Sequence, residues 1–456
     1  MSKMQNAKCK MQNADSYKVL KEKIEEKKVK ICIVGLGYVG LPLAVAFSKR
    51  GYFVYGYDEN RERIDKLKRG QEYIVDIKPQ EILSLINKKK FLPTTDRKVL
   101  AQAEVVIICV PTPLRKVKIP DMSYIVAASK TIKKYLKKNQ LIILESTSYP
   151  TTTREVVLPI LKKSGLKEEE DFFLCFSPER VNPGDKKFPL TKIPKIVGGI
   201  SSKSSQLAKS LYLKIINSVF VASSPEVAEC AKLLENTFRL VNIALVNEFA
   251  IVAWKLGISI WEIIEAAKTK PFGFMPFYPG AGCGGHCLPC DPLYLSWKAK
   301  KLGFKTKMID LASYVNHFMP TYVINRIEDL LKEKNISLEK AKVLILGVTY
   351  KKDVKDLRES PALDIIDGLI KKGAEVGQTS SPGRVDYFDP FIPYLKVSDI
   401  DLKRVSLNSE NLKKYDCVII TTDHSNINYE FIRKNAKLIF DVCNIYKKDF
   451  DNLRRL

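Results

Sequence analysis

The stretch Ile31-Cys-Ile-Val-Gly35-Leu-Gly37-Tyr-Val-Gly40 decides the fold. It places a GxGxxG pattern directly after a β-branched run and at the start of a helical pattern. Glycines at these positions allow a tight turn and let a pyrophosphate approach backbone N–H groups at a helix N-terminus. Asp58 ends the next predicted strand, where a carboxylate would accept hydrogen bonds from a ribose diol and repel a 2′-phosphate. The pattern predicts a dinucleotide site that favours NAD over NADP. A turn used only for packing is the alternative, and the nearby Arg63 leaves the cofactor form open.

Short β-branched runs alternate with helical stretches around this turn. Predicted strands are 29–34, 52–57, 104–110, 140–145, 172–176 and 195–198. Helices such as 39–50 and 122–138 separate them, an alternation typical of a parallel sheet with crossover helices. A second strand–helix series comprises 342–346, 361–372, 385–388, 416–421 and 437–441. We therefore predict an α/β fold, with two Rossmann-like parallel-sheet domains joined by a long central helical connector.

The chain divides into four predicted segments. They are a flexible N-terminal tail (1–28), an NAD-binding domain (29–222), a helical connector and dimerisation domain (223–320) and a C-terminal α/β domain (321–456). The tail contains the repeat Lys3-Met-Gln-Asn-Ala7 and Lys10-Met-Gln-Asn-Ala14. In the connector, 225–269 and 308–334 show helical apolar spacing around a Pro/Gly-rich loop at 271–292. Residues 377–384 are predicted to form a long surface loop.

Composition excludes several classes of protein. A length of 456 residues, with 45% hydrophobic and 28% charged residues, predicts two or three folded domains rather than a disordered chain. We find no apolar run in the sequence that reaches the roughly 18–20 residues of a membrane span. The Lys-rich start lacks a signal-peptide core, so we expect a cytoplasmic protein with reduced cysteines.

The net charge of +25 invites a nucleic-acid interpretation. However, the lysines are spread over nearly every predicted helix surface, without an Arg-rich recognition helix or a basic and aromatic platform. We therefore expect no nucleic-acid partner. A generally basic surface would still favour polyanionic small molecules such as nucleotides.

The densest group of reactive residues is the loop Gly280-Ala-Gly-Cys283-Gly-Gly-His286-Cys287-Leu-Pro-Cys290-Asp291-Pro292. The spacing Cys283-x3-Cys287-x2-Cys290 is that of a three-thiolate iron–sulfur site, and with His286 it could ligate zinc. One nucleophilic thiol in a glycine-rich loop is the interpretation that we favour, because missing side chains leave room for substrate. A packing loop with incidental cysteines is the fourth possibility. We predict no metal.

The loop also carries a family resemblance, together with four further motifs. These are Val110-Pro-Thr-Pro113, Glu145-Ser-Thr147, Phe176-Ser-Pro-Glu-Arg-Val-Asn-Pro-Gly184 and Lys355-Asp-Leu-Arg-Glu-Ser-Pro-Ala362. In this order, over about 29–447, the chain resembles the UDP-sugar 6-dehydrogenases. The GGHC-type loop looks more like the branch that acts on UDP-N-acetylhexosamines than the UDP-glucose branch, and the chain most resembles the UDP-N-acetylglucosamine 6-dehydrogenases. UDP-N-acetylmannosamine and UDP-glucose are the alternative substrates, and an iron–sulfur radical enzyme is the remote one.

The resemblance implies a four-electron oxidation of the sugar C6 alcohol to a carboxylate with two NAD⁺ and one water. Cys287 would capture the aldehyde as a thiohemiacetal, and the thioester formed next would be cleaved by water. A covalent link retains the reactive aldehyde while the cofactor is exchanged. The resemblance also implies a homodimer formed through the central helix.

The resemblance assigns roles to residues by their motifs. Catalytic roles fall to Cys287, Lys232, Asn236, Asp291, Glu179 and Thr147. Cofactor contacts fall to Gly35, Gly37, Tyr38, Val39, Gly40, Asp58, Arg63, Pro111, Thr112, Thr147 and Arg358. Substrate contacts fall to Glu179, Arg180, Val181, Lys232, Asn236, Arg239, Tyr278, Gly282, Gly284, Gly285, Tyr350 and Lys351. Lys232 and Asn236, four residues apart, would share one helix face and polarise the C6 oxygen together.

Two departures from the family pattern stand out. Cys443 occupies the place of an arginine in a DxRN-type segment, so a phosphate or sugar contact would be lost or supplied elsewhere. The predicted loop 377–384 interrupts a strand that is usually continuous before Tyr387. Neither departure falls in the catalytic set.

Overall fold

The computed structural model describes residues 15–71, 77–115, 119–181, 188–373 and 384–456. The chain forms two compact units. The first extends to Glu235 and includes Leu293–Gly303. The second comprises Asn236–Pro292 and Phe304–Leu456. The predicted division of 29–456 into an NAD-binding domain, a helical connector and a C-terminal domain stays a prediction.

The first unit is built on a single large sheet. Its strands are β1 (Lys30–Val34), β2 (Phe53–Tyr57), β3 (Phe91–Thr94), β4 (Val105–Ile108), β5 (Gln140–Leu144), β6 (Phe172–Phe176), β7 (Lys195–Gly199) and β8 (Val219–Val221). Its helices are α1 (Ser16–Glu25), α2 (Gly40–Lys49), α3 (Arg61–Lys68), α4 (Pro79–Asn87), α5 (Val99–Gln102), α6 (Ser123–Tyr135), α7 (Leu158–Lys162) and α8 (Ser202–Tyr212). A π-helix at Thr153–Val157 leads directly into α7, and a short 3₁₀ helix spans Leu190–Lys192.

The strand order of this sheet is β3-β2-β1-β4-β5-β6-β7-β8. All neighbours are parallel except β6 and β7. Strands β4, β5 and β6 are buried along their whole length, as expected for a parallel sheet covered on both faces. The strand order runs outward in both directions from β1, with β2 on one side and β4 on the other. In such folds, ligands bind at the carboxyl ends of the strands where the order reverses.

The expected N-terminal tail is wrong over its second half. Ser16–Glu25 forms α1, capped by the Asp15 side chain, which accepts from the Tyr17 N–H. Leu20 and Ile24, one helical turn apart, are fully buried in the core of the first unit. The Lys and Glu residues between them hid this apolar pair in the sequence. Residues 1–14 lie outside the described ranges.

Four helices occupy the central part of the sequence. They are α9 (Pro225–Lys255), α10 (Ile260–Lys268), α11 (Cys287–Lys301) and α12 (Lys307–Lys332). The helix expected over 225–269 is divided at Gly257, whose φ of 70° favours glycine. The loop expected over 271–292 is also shorter than predicted, because α11 begins at Cys287.

The second unit contains a smaller parallel sheet. Its strands are β9 (Lys342–Leu346), β10 (Arg384–Phe388), β13 (Cys417–Ile420), β14 (Ile439–Asp441) and β15 (Leu453–Arg455), in the order β10-β9-β13-β14-β15. A separate antiparallel pair consists of β11 (Tyr394–Val397) and β12 (Ile400–Lys403). Its further helices are a 3₁₀ turn at Leu338–Lys340, then α13 (Pro361–Lys371), α14 (Ser409–Lys414) and α15 (Tyr429–Asn435). The predicted two parallel sheets are confirmed, whereas loop residues 377–383 lie outside the described ranges.

Helix α9 corrects the expectation that no segment could span a membrane. Among the described residues it is the one helix that is long and apolar enough to do so, by length and composition only. Charged residues interrupt its apolar positions, so the sequence of α9 contains no long unbroken apolar run. Glu229, Lys232 and Asn236 are nevertheless buried along it, as in a helix that packs against protein.

Candidate active site

The glycine turn of the first unit fits a dinucleotide pyrophosphate. Gly35 has φ 94°, and a Cβ there would lie 2.6 Å from the Cys109 carbonyl oxygen. A Cβ on Gly40, at the start of α2, would lie 1.9 Å from the Gly35 carbonyl oxygen. A Cβ on Gly37 would meet nothing within 4 Å. Two glycines are therefore needed for the turn itself, and the third faces open space in which a ligand can approach.

Asp58 lies at the carboxyl end of β2 and is fixed against the glycine turn. Its Oδ2 accepts hydrogen bonds from the Leu36 N–H and from Arg63 Nη1, both at 2.8 Å. Its Oδ1 accepts from the Asn60 N–H at 2.9 Å. Asp58, the residue predicted to bind the ribose, is therefore held in place by the glycine turn. Arg63 contacts the same carboxylate.

The loop after β5 carries Thr147, which is half-buried. At its start, Glu145 is buried and pairs with Lys195 Nζ at 2.9 Å, and the Tyr212 hydroxyl donates to the same carboxylate. Burial of the Tyr212 phenol raises its pKa well above the usual value. Ser146 Oγ donates to the Val110 carbonyl oxygen at 2.8 Å, which ties this loop to the segment with Pro111 and Thr112.

The end of the same loop is held by Glu229 from α9. Its carboxylate accepts hydrogen bonds from the Thr151 N–H (2.6 Å), the Thr153 N–H (2.9 Å) and Thr153 Oγ1 (2.7 Å). Burial raises the pKa of Glu229 to about 7. Sequence reasoning did not select this residue. The sequence feature that could have indicated it is a single acidic residue on the apolar side of a predicted helix.

Lys232 lies three residues after Glu229 and is buried. Its Nζ is 3.9 Å from Glu179 Oε2, so the structure brings these two predicted residues together. Arg180 forms a two-pronged pair with Glu235, through Nε (3.1 Å) and Nη2 (2.6 Å). Glu235 is a second residue that sequence reasoning missed.

In the second unit, the cysteine loop packs against Tyr350. A Cβ on Gly284 would lie 2.6 Å from the Tyr350 Cβ, and one on Gly285 would lie 2.7 Å from its ring. The Gly285 N–H donates to the Arg358 carbonyl oxygen at 2.9 Å. These predicted substrate and cofactor residues therefore form one cluster, in which the glycines allow the close approach.

Two buried amides support this loop, and both were missed from the sequence. Asn247 Oδ1 accepts from the Gly280 N–H at 2.9 Å, and its Nδ2 donates to Asn316 Oδ1 at 2.9 Å. Asn316 Nδ2 donates in turn to the Leu240 carbonyl oxygen. Asn247 lies within α9 and Asn316 within α12. Their positions in the helical pattern did not distinguish them from amides on a helix surface.

The three loop cysteines differ in their surroundings. Cys287 is exposed at the first residue of α11, where the helix dipole favours negative charge. Burial raises the pKa values of Cys283 and Cys290 to about 12. Across the described residues, no group of three or more His, Cys, Asp or Glu side chains is arranged to hold a metal ion. The arrangement singles out Cys287 as the accessible thiol.

Asp291 is fully buried on the first turn of α11. Its Oδ2 accepts from Asn236 Nδ2 at 2.6 Å, and Arg239 donates to Asn236 Oδ1. Asn236 is therefore oriented from both sides, with its amide nitrogen directed to the carboxylate. These three residues, all predicted from motifs, lie together.

Other predicted residues are placed differently. Arg358 forms a bidentate pair with Asp356, at 3.0 Å and 2.6 Å. Tyr278 stacks on Trp261 and its hydroxyl donates to Glu265 at 3.2 Å. Thr112 contributes its carbonyl oxygen to the Tyr294 hydroxyl at 2.7 Å.

The motifs and geometry agree with comparisons to known proteins. Residues 29–216, 226–317 and 344–448 match the NAD binding, central and UDP binding domains of the UDP-glucose/GDP-mannose dehydrogenase family. A UDP-N-acetyl-D-glucosamine 6-dehydrogenase of Pseudomonas aeruginosa is 38% identical over 94% of this chain and 100% of its own length. A UDP-N-acetyl-D-mannosamine dehydrogenase of Pyrococcus horikoshii is 36% identical over 92% and 96%.

A solved structure agrees with these sequence matches. The UDP-D-ManNAc dehydrogenase structure from Pyrococcus horikoshii has a TM-score of 0.84 at 33% identity, and covers 93% of this chain and 98% of its own.

Proposed function

The chain belongs to the UDP-glucose/GDP-mannose dehydrogenase family and is an NAD-dependent UDP-sugar dehydrogenase, and we propose that it oxidises C6 of UDP-N-acetylglucosamine to the uronic acid. The observation that carries the chemistry is the exposed thiol of Cys287 at the start of α11, in a glycine loop packed on Tyr350. A thiol can hold a sugar aldehyde covalently between two oxidations.

NAD⁺ accepts hydride in this chemistry. The residues that would hold it are the glycine turn of Gly35, Gly37 and Gly40, with Asp58 for the ribose. This assignment is supported by the open space at Gly37 and by the fixed Asp58 carboxylate.

Lys232 and Asn236 are proposed to stabilise the C6 oxygen as its proton leaves. Both are buried, so an ammonium and an amide there interact more strongly with a developing charge than they would in water. Asp291 orients Asn236 by accepting its amide N–H at 2.6 Å. Glu179, which is 3.9 Å from Lys232 Nζ, can take up a proton from that ammonium or from a water.

Cys287 is proposed to form one bond to the substrate carbon, which is kept through two successive covalent adducts. The thiolate sulfur attacks the C6 aldehyde, and the carbonyl oxygen takes up a proton to give a thiohemiacetal. Oxidation of that adduct, with loss of a hydride and the hydroxyl proton, leaves a thioester. Water then attacks the thioester carbon, the C–S bond breaks, and the carboxylate and thiol are released. Thr147 and Glu179 are the proposed groups that hold and deprotonate this water.

UDP-N-acetylmannosamine is the second candidate substrate. It is supported by the relative of that name at 36% identity and by the solved structure with a TM-score of 0.84. The deciding experiment is a panel of UDP-N-acetylglucosamine, UDP-N-acetylmannosamine and UDP-glucose with excess NAD⁺. We expect two NADH per sugar, no free aldehyde, and the highest kcat/KM for UDP-N-acetylglucosamine. A higher value for either other sugar would contradict the proposed substrate.

A second copy of the chain is the proposed partner of α9. Four apolar side chains on one side of this helix are about half-exposed: Phe238, Leu245, Phe249 and Val252. Met308, Leu311 and Tyr314 of α12 are also exposed. Contiguous exposed apolar side chains often mark a contact with another protein. Because both copies would present the same helix, the contact would be a two-fold homodimer, and we propose that the dimer works in the cytoplasm.

A further inference from the structure

Glu229 connects two segments that carry proposed catalytic residues. It lies on α9, three residues before Lys232, and is buried. Its three donors, the Thr151 N–H, the Thr153 N–H and Thr153 Oγ1, all belong to the loop that follows Thr147. A single carboxylate thus joins the first turns of α9 to the end of the Thr147 loop.

The loop needs such a partner because its own backbone is strained. Thr151 has φ 83°, in the left-handed region that a β-branched residue rarely adopts. The N–H groups of Thr151 and Thr153 lie just before and at the start of the π-helix Thr153–Val157, where helix N–H groups have no acceptor within the helix. The Glu229 oxygens accept from both, so they replace the missing backbone acceptors and hold the strained conformation.

We infer that Glu229 is a positioning residue, which fixes Lys232 relative to Thr147 through its hydrogen bonds to Thr151 and Thr153. The inference rests on the proposed function, because it takes Lys232 and Thr147 as residues that act on the substrate. Glu229 itself contacts neither the sugar nor the cofactor in this proposal. Its effect is on the alignment of two groups, and a small misalignment of such groups slows catalysis strongly.

A second contact joins the same segments and provides a matched control. Glu226, one turn before Glu229, pairs with Arg154 Nε at 2.7 Å, and this arginine is 46% exposed. An exposed ion pair restrains its segments weakly, because water and salt compete with it. Glu226→Gln therefore changes the same charge on the same helix without removing the buried hydrogen bonds.

The test compares Glu229→Gln with Glu226→Gln in the full-length protein. Glutamine has the shape of glutamate, but its amide group would place N–H donors against one of the three donors of the loop. We expect Glu229→Gln to lower kcat by about 10- to 100-fold, with KM for NAD⁺ within about twofold. Hydrogen exchange of the peptide containing Thr151 and Thr153 should become faster in the same variant. Glu226→Gln should leave both measurements near wild type.

A kcat within twofold of wild type, or unchanged exchange of that peptide, overturns the inference. If Glu229→Gln does not fold, Thr153→Val decides instead, because it removes one of the three donors and keeps the β-branched shape; an unchanged kcat for this variant also overturns the inference. Failure of the proposed function gives a different result. In that case the wild type reduces no NAD⁺ with any UDP-sugar, while the exchange difference between the two glutamine variants persists.

Discussion

At the residue scale, Cys287 and Cys290 lie three residues apart and differ in environment. Cys287 is exposed, whereas Cys290 is buried, and this burial raises the pKa of its thiol to about 12. Cys287→Ser should lower acid formation by at least ~10³-fold, because a serine hydroxyl does not replace the thiol in the two covalent steps. Cys290→Ser should retain most of the activity. NADH and uronic acid are measured for both variants, and acid formation by Cys287→Ser at the wild-type rate would refute the nucleophile.

Thr151 offers a test of the loop backbone. Its φ of 83° costs a β-branched residue free energy that glycine does not pay. Thr151→Gly should therefore raise the free energy of unfolding by about 1 kcal/mol. Thr152, with φ −56° and a fully buried side chain, is the matched control. Thr152→Gly should lower the free energy of unfolding. Urea unfolding curves measure both changes, and a change of the same sign in the two variants would contradict backbone strain at Thr151.

The buried carboxyl of Glu229 should make stability depend on pH. Burial raises its folded-state pKa from 4.5 to about 7. The folded state then binds more protons than the unfolded state between these values, so this contribution to stability is lost as pH rises from 4.5 to 7. The unfolding free energy of the wild type, measured relative to that of Glu229→Gln, should therefore fall by about 3 kcal/mol across that range. Urea unfolding at pH 5 and pH 8 measures it, and a constant difference would refute the pKa shift.

At the element scale, the start of α11 depends on glycine. A Cβ on Gly285, which has φ 81°, would lie 2.7 Å from the Tyr350 ring, whereas one on Gly280 would meet nothing within 4 Å. Gly285→Ala should lower kcat/KM for the UDP-sugar by about 10-fold or more, because it displaces the cysteine loop. Gly280→Ala should have little effect. NADH formation at varied UDP-sugar gives both values, and equal losses would show that the ring contact is unimportant.

Elements with strong patterns were predictable from the sequence. The predicted strand 172–176 has the same bounds as the observed β6, since an unbroken apolar run bounded by turns indicates a buried strand. The start of α11 was not found, because Gly284, Gly285, Pro289 and Pro292 indicate a loop locally. The helix forms there because Tyr350 and the buried Asp291 provide tertiary contacts. Glu229, Glu235, Asn247 and Asn316 were missed for a related reason: their partners are distant in sequence.

At the scale of the whole molecule, α9 should control association. Leu245→Glu and Phe249→Glu place charges on its half-exposed apolar side, and burial of an unpaired charge in an interface is costly. We expect the double variant to be a monomer and the wild type a dimer in sedimentation equilibrium. Phe220→Glu, at the exposed middle position of β8, is the control and should leave the mass unchanged. A monomeric wild type would refute the proposed assembly.

The first helix also affects how this protein is prepared. Trimming the polar start at Lys28, as the repeat and the Lys-rich run invite, would remove Leu20 and Ile24 from beneath the nucleotide-binding sheet. Each side chain of this kind contributes roughly 1.5–3 kcal/mol by burial. A shortened gene should therefore begin before Asp15, and affinity tags belong upstream of that residue.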